Sequence, residues 1–588
     1  MKVNKHASEL YFYWLAFLLA LGLRLFQLGA AALTDVEAGW ALQALGLARG
    51  QAVILGAQPA YLLLTSLLFS VFKDTNFLAR LFPALAGSLI IWVPFYFQRW
   101  MGEAKWMCRA GVLLAFGLAI DPGLVSLSRQ VGSPVPALVF SLLFLASLYN
   151  RRMVWAGFFA GLALLSGVAF LQGALILGMS WGLVRLISHK SAQHESSENE
   201  VTPSEAALSA GSLRVAVLAF VLTLLFAGTL FFQVPQGLGA LADTIPVYLK
   251  TWVTSSGIPI LRLPASLLVY QPFVLIFAIY GIVQARVGET NDSTTRQRIL
   301  GLSIWALVGL LLPMLYAGRQ VGDVAWALIP LWALASMAIS RSVLTEDDRA
   351  TRVVALCLAL LLFVLSVVGW INLLSIGRYQ VDVAIYWAII IGAFLLGLIA
   401  TLLVLAGWSS SAAIMGVVWS LCFMLGLQLI SNTWGMVIVR QNGAQDLWAP
   451  PPTTAQTDLL LTTLTDLSSW NTGLRDQLEI VGLTDSPALE WALRHFPNTH
   501  FQTSLSSAES PPVVITYKST GEPQLTESYR GQDFVWRLYP GWQGVFPPNF
   551  INWLAFRKAP LGQDQIILWV RADLFPGGSS EPIENTTP

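Results

Sequence analysis

Apolar runs recur along most of the chain, each near the 20 residues that a helix needs to cross a bilayer, and short polar stretches separate them. Those near 11–30, 78–98, 107–125, 134–149, 213–234 and 264–284 predict spanning helices. So do those near 299–317, 323–340, 353–375, 384–407 and 411–431. The run 154–187 is long enough for two tightly turned spans, which brings the expectation to about thirteen. The first run follows Lys2 and Lys5 and lacks a small-residue cleavage site, so it reads as a retained helix with a cytoplasmic N-terminus. An odd count then places everything after the last span outside.

Charge supports this orientation. The outside loops before the C-terminal region carry Arg49, Lys73, Arg80, Arg129, Lys250, Arg262, Arg319 and Arg378, half as many Lys and Arg as the shorter cytoplasmic segments.

The polar breaks differ in kind. Residues 37–49 and 57–72 have helical periodicity, interrupted by Gly and Pro within 51–59, and predict two helices on the outer surface within 35–73. Residues 188–212, rich in Ser, Glu, Gln and Ala, read as a disordered cytoplasmic loop. Beyond the transmembrane domain, 1–435, the stretch 436–456 with Pro450 to Pro452 reads as a stiffened linker. A small extracytoplasmic α/β domain is expected over 457–575, followed by a disordered tail, 576–588. Its strands are read at 478–483, 513–517, 534–538 and 566–570, and a helix at 487–496 capped by Asp485 or Ser486. The fold class is mainly α: a polytopic membrane protein carrying one small α/β domain.

Composition agrees: 55% of the 588 residues are hydrophobic and 11% charged, far from a water-exposed surface. A net charge of +1 without a basic face argues against nucleic acid as a partner. Cys108, Cys357 and Cys422 lie in apolar runs, where thiols behave as small hydrophobes. His189 and His194 fall in the cytoplasmic loop, and His495 and His500 in the C-terminal domain, so no histidine pair accompanies the surface acids. Carboxylates alone could hold Mg or Mn, which makes a divalent cation the cofactor to test. The 23 tryptophans are mostly interfacial anchors; Trp491, Trp536, Trp542 and Trp553 of the C-terminal domain are expected in its core rather than stacked on sugars.

Thr34-Asp35-Val36-Glu37 opens the first outside loop and places two carboxylates at the membrane surface. On one reading Thr34 and Glu37 form a capping box and Asp35 complements the helix dipole. On the other, a carboxylate acts as general base on an acceptor attacking a sugar's anomeric carbon.

An acidic pair after the first span, followed by Ala38, Trp40, Ala41, Leu42 and Ala44, resembles the GT-C class of membrane glycosyltransferases. The likeness is greatest to the protein O-mannosyltransferases and the lipid A aminoarabinose transferase. Residues 59–64, 77–85, Asp121-Pro122 through Arg129, 161–167, and Arg319 with 325–330 extend it over the first 340 residues or so. The family has adjacent Asp and Glu, whereas Val36 intervenes here. Asp35 is favoured as the base, and Glu37 aligns with the second acid.

The resemblance implies a hexosyl- or pentosyltransferase in the cell membrane that uses a sugar on a polyprenyl phosphate and an extracytoplasmic acceptor. Arg80, Arg129, Lys250, Arg262 and Arg319, at outside ends of spans, are the candidates to grip the donor phosphate, against the alternative that they anchor to lipid headgroups. Two other functions stand beside it: a non-catalytic accessory or scaffold in lipid-linked sugar export, and a transporter. The spans lack the mid-membrane acids that coupled transport needs.

Overall fold

The computed structural model describes residues 3–102, 104–194, 210–287, 293–343, 348–379, 383–441, 443–448, 452–506, 509–521, 523 and 525–575. Most of the loop expected over 188–212 and all of the tail 576–588 lie outside the described residues.

Each apolar run coincides with a helix. Eight described helices are long and apolar enough to cross a membrane, or up to ten if each of two bent pairs is one span. Thirteen full spans are therefore not reached among the described residues. Val135–Tyr149 has 15 residues and Met153–Leu165 has 13; at 1.5 Å per residue both are about 20 Å long, short of the roughly 30 Å hydrocarbon layer. Val383–Gly407 shows why this is a multi-pass membrane protein. Its mean hydropathy is 2.9, yet only 11% of its apolar window is buried within the protein. A helix that is apolar all round while most of its surface is left uncovered by the protein is solvated by lipid.

Four helices open the chain: α1 (Val3–Leu25), α2 (Asp35–Ala48), α3 (Pro59–Val71) and α4 (Asn76–Ser88). α2 and α3 pack on each other outside the main helical core, as expected of surface helices. Two later helices are broken at X-Pro steps, where the residue before proline leaves the α region and the proline cannot donate. Trp106–Ile120 meets Pro122–Ser128 at 54°, with Asp121 capping the second piece, and Arg262–Tyr270 meets Pro272–Arg286 at 94°. The right angle turns the Arg262 helix across the direction of its partner.

The C-terminal domain holds one mixed sheet of β1 (Thr453–Thr454), β2 (Ile480–Leu483), β3 (Thr499–Phe501), β4 (Val513–Tyr517), β5 (Tyr529–Pro540) and β6 (Leu561–Arg571), in the order β1-β5-β6-β4-β2-β3. β2 runs parallel to β3 and β4, and the other pairs are antiparallel. Helix Thr457–Thr472 lays Leu460, Leu464 and Leu467 against Phe534, Trp536, Ile566 and Leu568 of the sheet. Trp491, Trp536 and Trp553 are buried; Trp542 is half-buried.

This domain packs on α2 and makes polar contacts with the segments that lead into α2 and α4. Trp491 Nε1 donates to Asn76 Oδ1 (2.8 Å), Arg494 Nε pairs with Asp74 Oδ2 (3.1 Å), and Thr454 Oγ1 donates to the Leu33 carbonyl (2.7 Å). Trp491 also stacks near Phe69, with ring centroids 5.8 Å apart.

Candidate functional site

The start of α2 shows how the local sequence disposes its acids. Thr34 Oγ1 accepts from the Glu37 backbone N–H (3.3 Å), and Glu37 Oε2 accepts from the Thr34 N–H (3.1 Å), the reciprocal pair that Thr-x-x-Glu encodes. The same carboxylate takes two charge-assisted bonds from Arg80 of α4, Nε to Oε1 at 2.9 Å and Nη2 to Oε2 at 2.7 Å, and one from the Val131 N–H (3.2 Å). Both partners are buried. Burial would raise the Glu37 pKa, but the Arg80 charge and these hydrogen bonds outweigh it and hold the group below its ordinary value. Glu37 is therefore a poor proton acceptor.

Asp35 is elsewhere. Its Oδ2 accepts from Arg537 Nε (2.7 Å), and its Oδ1 from Ser486 Oγ (2.5 Å) and the Ala488 N–H (3.1 Å), all in the C-terminal domain. Ser486 in turn caps helix Pro487–Leu493 and accepts from Trp536 Nε1 (2.9 Å). The carboxylate of Asp35, favoured from the sequence as the base, closes a domain contact here and is engaged on both oxygens.

Between α2, the 131–134 loop and the segments around Arg262 and Asp323 lies a cavity of about 420 Å³. Val36, 61% exposed, lines it, as do Glu37, Arg262 and Asp323. Gly132, at φ +78°, forms part of the wall, and its carbonyl accepts from Gln58 Nε2 (3.2 Å). Thr34, Glu37 and Gln130 line both this cavity and a smaller one of about 90 Å³, which is also bordered by Gln27, Arg80, Arg129, Arg440 and Asp446.

The five expected phosphate-gripping cations separate by position. Arg80 is tied to Glu37 and to the carbonyls of Leu28, Ala31 and Ala32. Arg129 donates to the carbonyls of Leu23, Arg24, Phe26 and Gln27 and so caps the end of α1. Burial, then the like charge of Arg80, lowers its pKa to about 10. Lys250 is exposed and outside the cavity wall. Arg319 Nη1 donates to the Ile258 carbonyl (3.0 Å) and does not line the cavity. Arg262 lines it with a guanidinium that donates to none of the described residues; its Nε is buried without a partner.

Asp323 is an acid the sequence reading missed. It sits in Gln320-Val321-Gly322-Asp323, a capped 3₁₀ turn that opens a buried helix, where Oδ2 accepts from the Gln320 N–H (2.7 Å) and from the Tyr316 hydroxyl. Gln172, whose Nε2 is buried without another partner, stands against the same carboxylate at the cavity wall. Ser133 Oγ and Trp448 Nε1, buried at the same cavity, also lack partners. Orphaned buried polar groups are costly and rare, so several around one cavity mark where a polar ligand belongs. The expected Mg or Mn finds a weak donor set: among the described residues no three His, Cys, Asp or Glu converge. With Glu37 held by Arg80, an ion there would have Asp323 as its protein carboxylate and would draw on substrate oxygens and water.

The chain is similar in structure to ArnT from Cupriavidus metallidurans bound to undecaprenyl phosphate, at 16% identity and a TM-score of 0.49, over 96% of this chain and 98% of that one. The same protein in the apo state is similar at 16% identity and 0.47, over 83% and 85%. The Archaeoglobus fulgidus oligosaccharyltransferase tethered with an acceptor peptide is similar at 14% identity and 0.39, over 88% of this chain and 70% of that one. These neighbours are GT-C enzymes. No family model and no curated protein matches the sequence.

Proposed function

We propose that this membrane protein is a glycosyltransferase that moves a sugar from a polyprenyl-phosphate-linked donor to an extracytoplasmic acceptor, and that the reaction takes place in the 420 Å³ cavity. The observation that supports this reading is the presence there of a cation without a protein partner, Arg262, on the same cavity as the buried carboxylate of Asp323. An acceptor O–H attacks the anomeric carbon, the bond from that carbon to the phosphate oxygen breaks, and the acceptor proton passes to Asp323. The departing phosphate is held by the Arg262 guanidinium, whose planar donors match its oxygens. The N-terminus is cytoplasmic in this proposal, and the C-terminal domain faces outside.

One observation favours a second reading, in which the cavity binds lipid-linked sugar without transfer: Val36, not an acid, points into it from α2. Transfer from a polyprenyl-phosphate-linked sugar in proteoliposomes decides between them. Asp323→Asn should lower turnover by at least about a hundredfold with little change in stability, and Arg262→Ala should raise the donor KM. Wild-type turnover in both variants sinks the assignment. A wild-type protein that binds polyprenyl phosphate saturably through Arg262 but never transfers establishes the second reading.

A further inference from the structure

The C-terminal domain has its own groove, of about 380 Å³, far in sequence from the surface acids. It opens where the core between helix Thr457–Thr472 and the sheet runs out. The pairs Phe534↔Ile566, Gln532↔Leu568 and Arg530↔Val570 lie on one face of β5 and β6. Along that face the inward residues of β5 change from buried Phe534 to exposed Gln532 and Arg530, while Leu568 and Val570 of β6 stay buried and form an apolar floor. On the other wall, Asp466 and Trp470 stand one turn apart on the helix, with the Trp470 side chain 69% exposed. Phe575 closes the end beneath the Arg530 guanidinium, 4.8 Å from ring centroid to cation.

The chemistry of this groove is amphipathic. Asp466, Gln532 and the Trp470 indole N–H make no side-chain hydrogen bond with the described residues, and Asp466 and Arg530 are not paired with each other across the groove. A helix face that served only to anchor in lipid would not set a carboxylate, an amide and a guanidinium around its tryptophan. A flat aromatic face beside a few hydrogen-bonding groups over an apolar floor suits a ligand with one C–H-rich face and a rim of hydroxyls. The volume is within the range of about 300–1,000 Å³ typical of small-ligand sites.

We propose that this groove is a carbohydrate-binding site, in which a sugar ring stacks on Trp470 and its hydroxyls bridge Asp466 on one wall to Gln532 and Arg530 on the other. The proposal stands on the C-terminal domain alone and does not depend on what the membrane cavity catalyses.

Saturation-transfer NMR on the full chain in nanodiscs, with mannotriose, cellotriose and chitotriose at millimolar concentration, tests it. At least one should bind, and Trp470→Ala should weaken that binding about tenfold or more, in line with the loss of an aromatic contact, whereas Trp470→Phe should retain part of it. Arg262→Ala should leave it unchanged. Binding that survives Trp470→Ala, or disappears with Arg262→Ala, overturns the proposal. So does a chain that binds none of the three sugars both with and without residues 576–588.

Discussion

Glu37→Gln removes one charge and little else. Glutamine keeps the length of the side chain and can still accept from the Thr34 N–H, so the capping box survives. Arg80, with a side chain only 8% exposed, is left as a buried cation without its counter-charge, its Nε and Nη2 bonds at 2.9 and 2.7 Å weakened from ionic to neutral. Breaking a buried pair from one side costs about 3–5 kcal/mol. Because three backbone carbonyls still receive Arg80, the lower end, about 3 kcal/mol, is the expected loss. A double-mutant cycle of Glu37→Gln, Arg80→Met and the pair, followed by thermal unfolding in detergent, should show the double variant less damaged than the sum of the singles. The pH dependence has a definite sign. The folded pKa of Glu37 is depressed, so its contribution is present above the unfolded value near 4.3 and is lost as pH falls through the folded value. The difference between wild type and Glu37→Gln should therefore shrink in acid. A Glu37→Gln protein within about 0.5 kcal/mol of wild type at pH 7 would refute the reasoning, because a surface substitution costs no more than that.

Asp35→Ala and Arg537→Ala should each loosen the C-terminal domain from α2, seen as faster proteolytic release of that domain, and the double variant should do little more than either alone. Loss of transfer in Asp35→Asn with docking intact would restore Asp35 as a catalytic candidate. Ser469→Cys, on the helix that bears Trp470, should react with a membrane-impermeant maleimide in intact cells; labelling only after lysis would invert the orientation.

Reading the sequence succeeded where neighbours in the chain decide the outcome. The start of α2 follows from Thr34 and Glu37, the cap of Pro487–Leu493 from Ser486, and β4 from the five apolar and β-forming residues Val513–Tyr517. Helix Thr457–Thr472 was missed because its run of threonines has poor intrinsic helix propensity. Its stability comes from Leu460, Leu464 and Leu467 meeting a sheet that begins at β1 and is completed more than 100 residues later in β6. The short strands β1 and β3, of two and three residues, carry too little pattern to read. The membrane segments were legible as apolar runs, but not their helix lengths, which turn on breaks at Pro122 and Pro272 and on packing.

The same limit explains the site. Successive residues of a helix point about 100° apart, so Asp35, Val36 and Glu37 cannot share one direction. Glu37 turns to Arg80, 43 residues away, and Asp35 to Arg537, 502 residues away, which leaves Val36 for the cavity. A motif with two acids therefore contributes no unengaged carboxylate to that cavity: Glu37 fixes α2 to α4, and Asp35 fixes α2 to the C-terminal domain. Any proton transfer there must draw on a residue from a distant segment. In the proposed reaction Asp323 fills that need, since its 3₁₀ turn uses Oδ2, and Arg262, beyond the right-angle break before Pro272, lines the same cavity. Arg262 is one of five cations that the sequence offers with nothing to rank them, whereas Asp323 stands in no recognisable motif and becomes visible only when the helix ends are brought together.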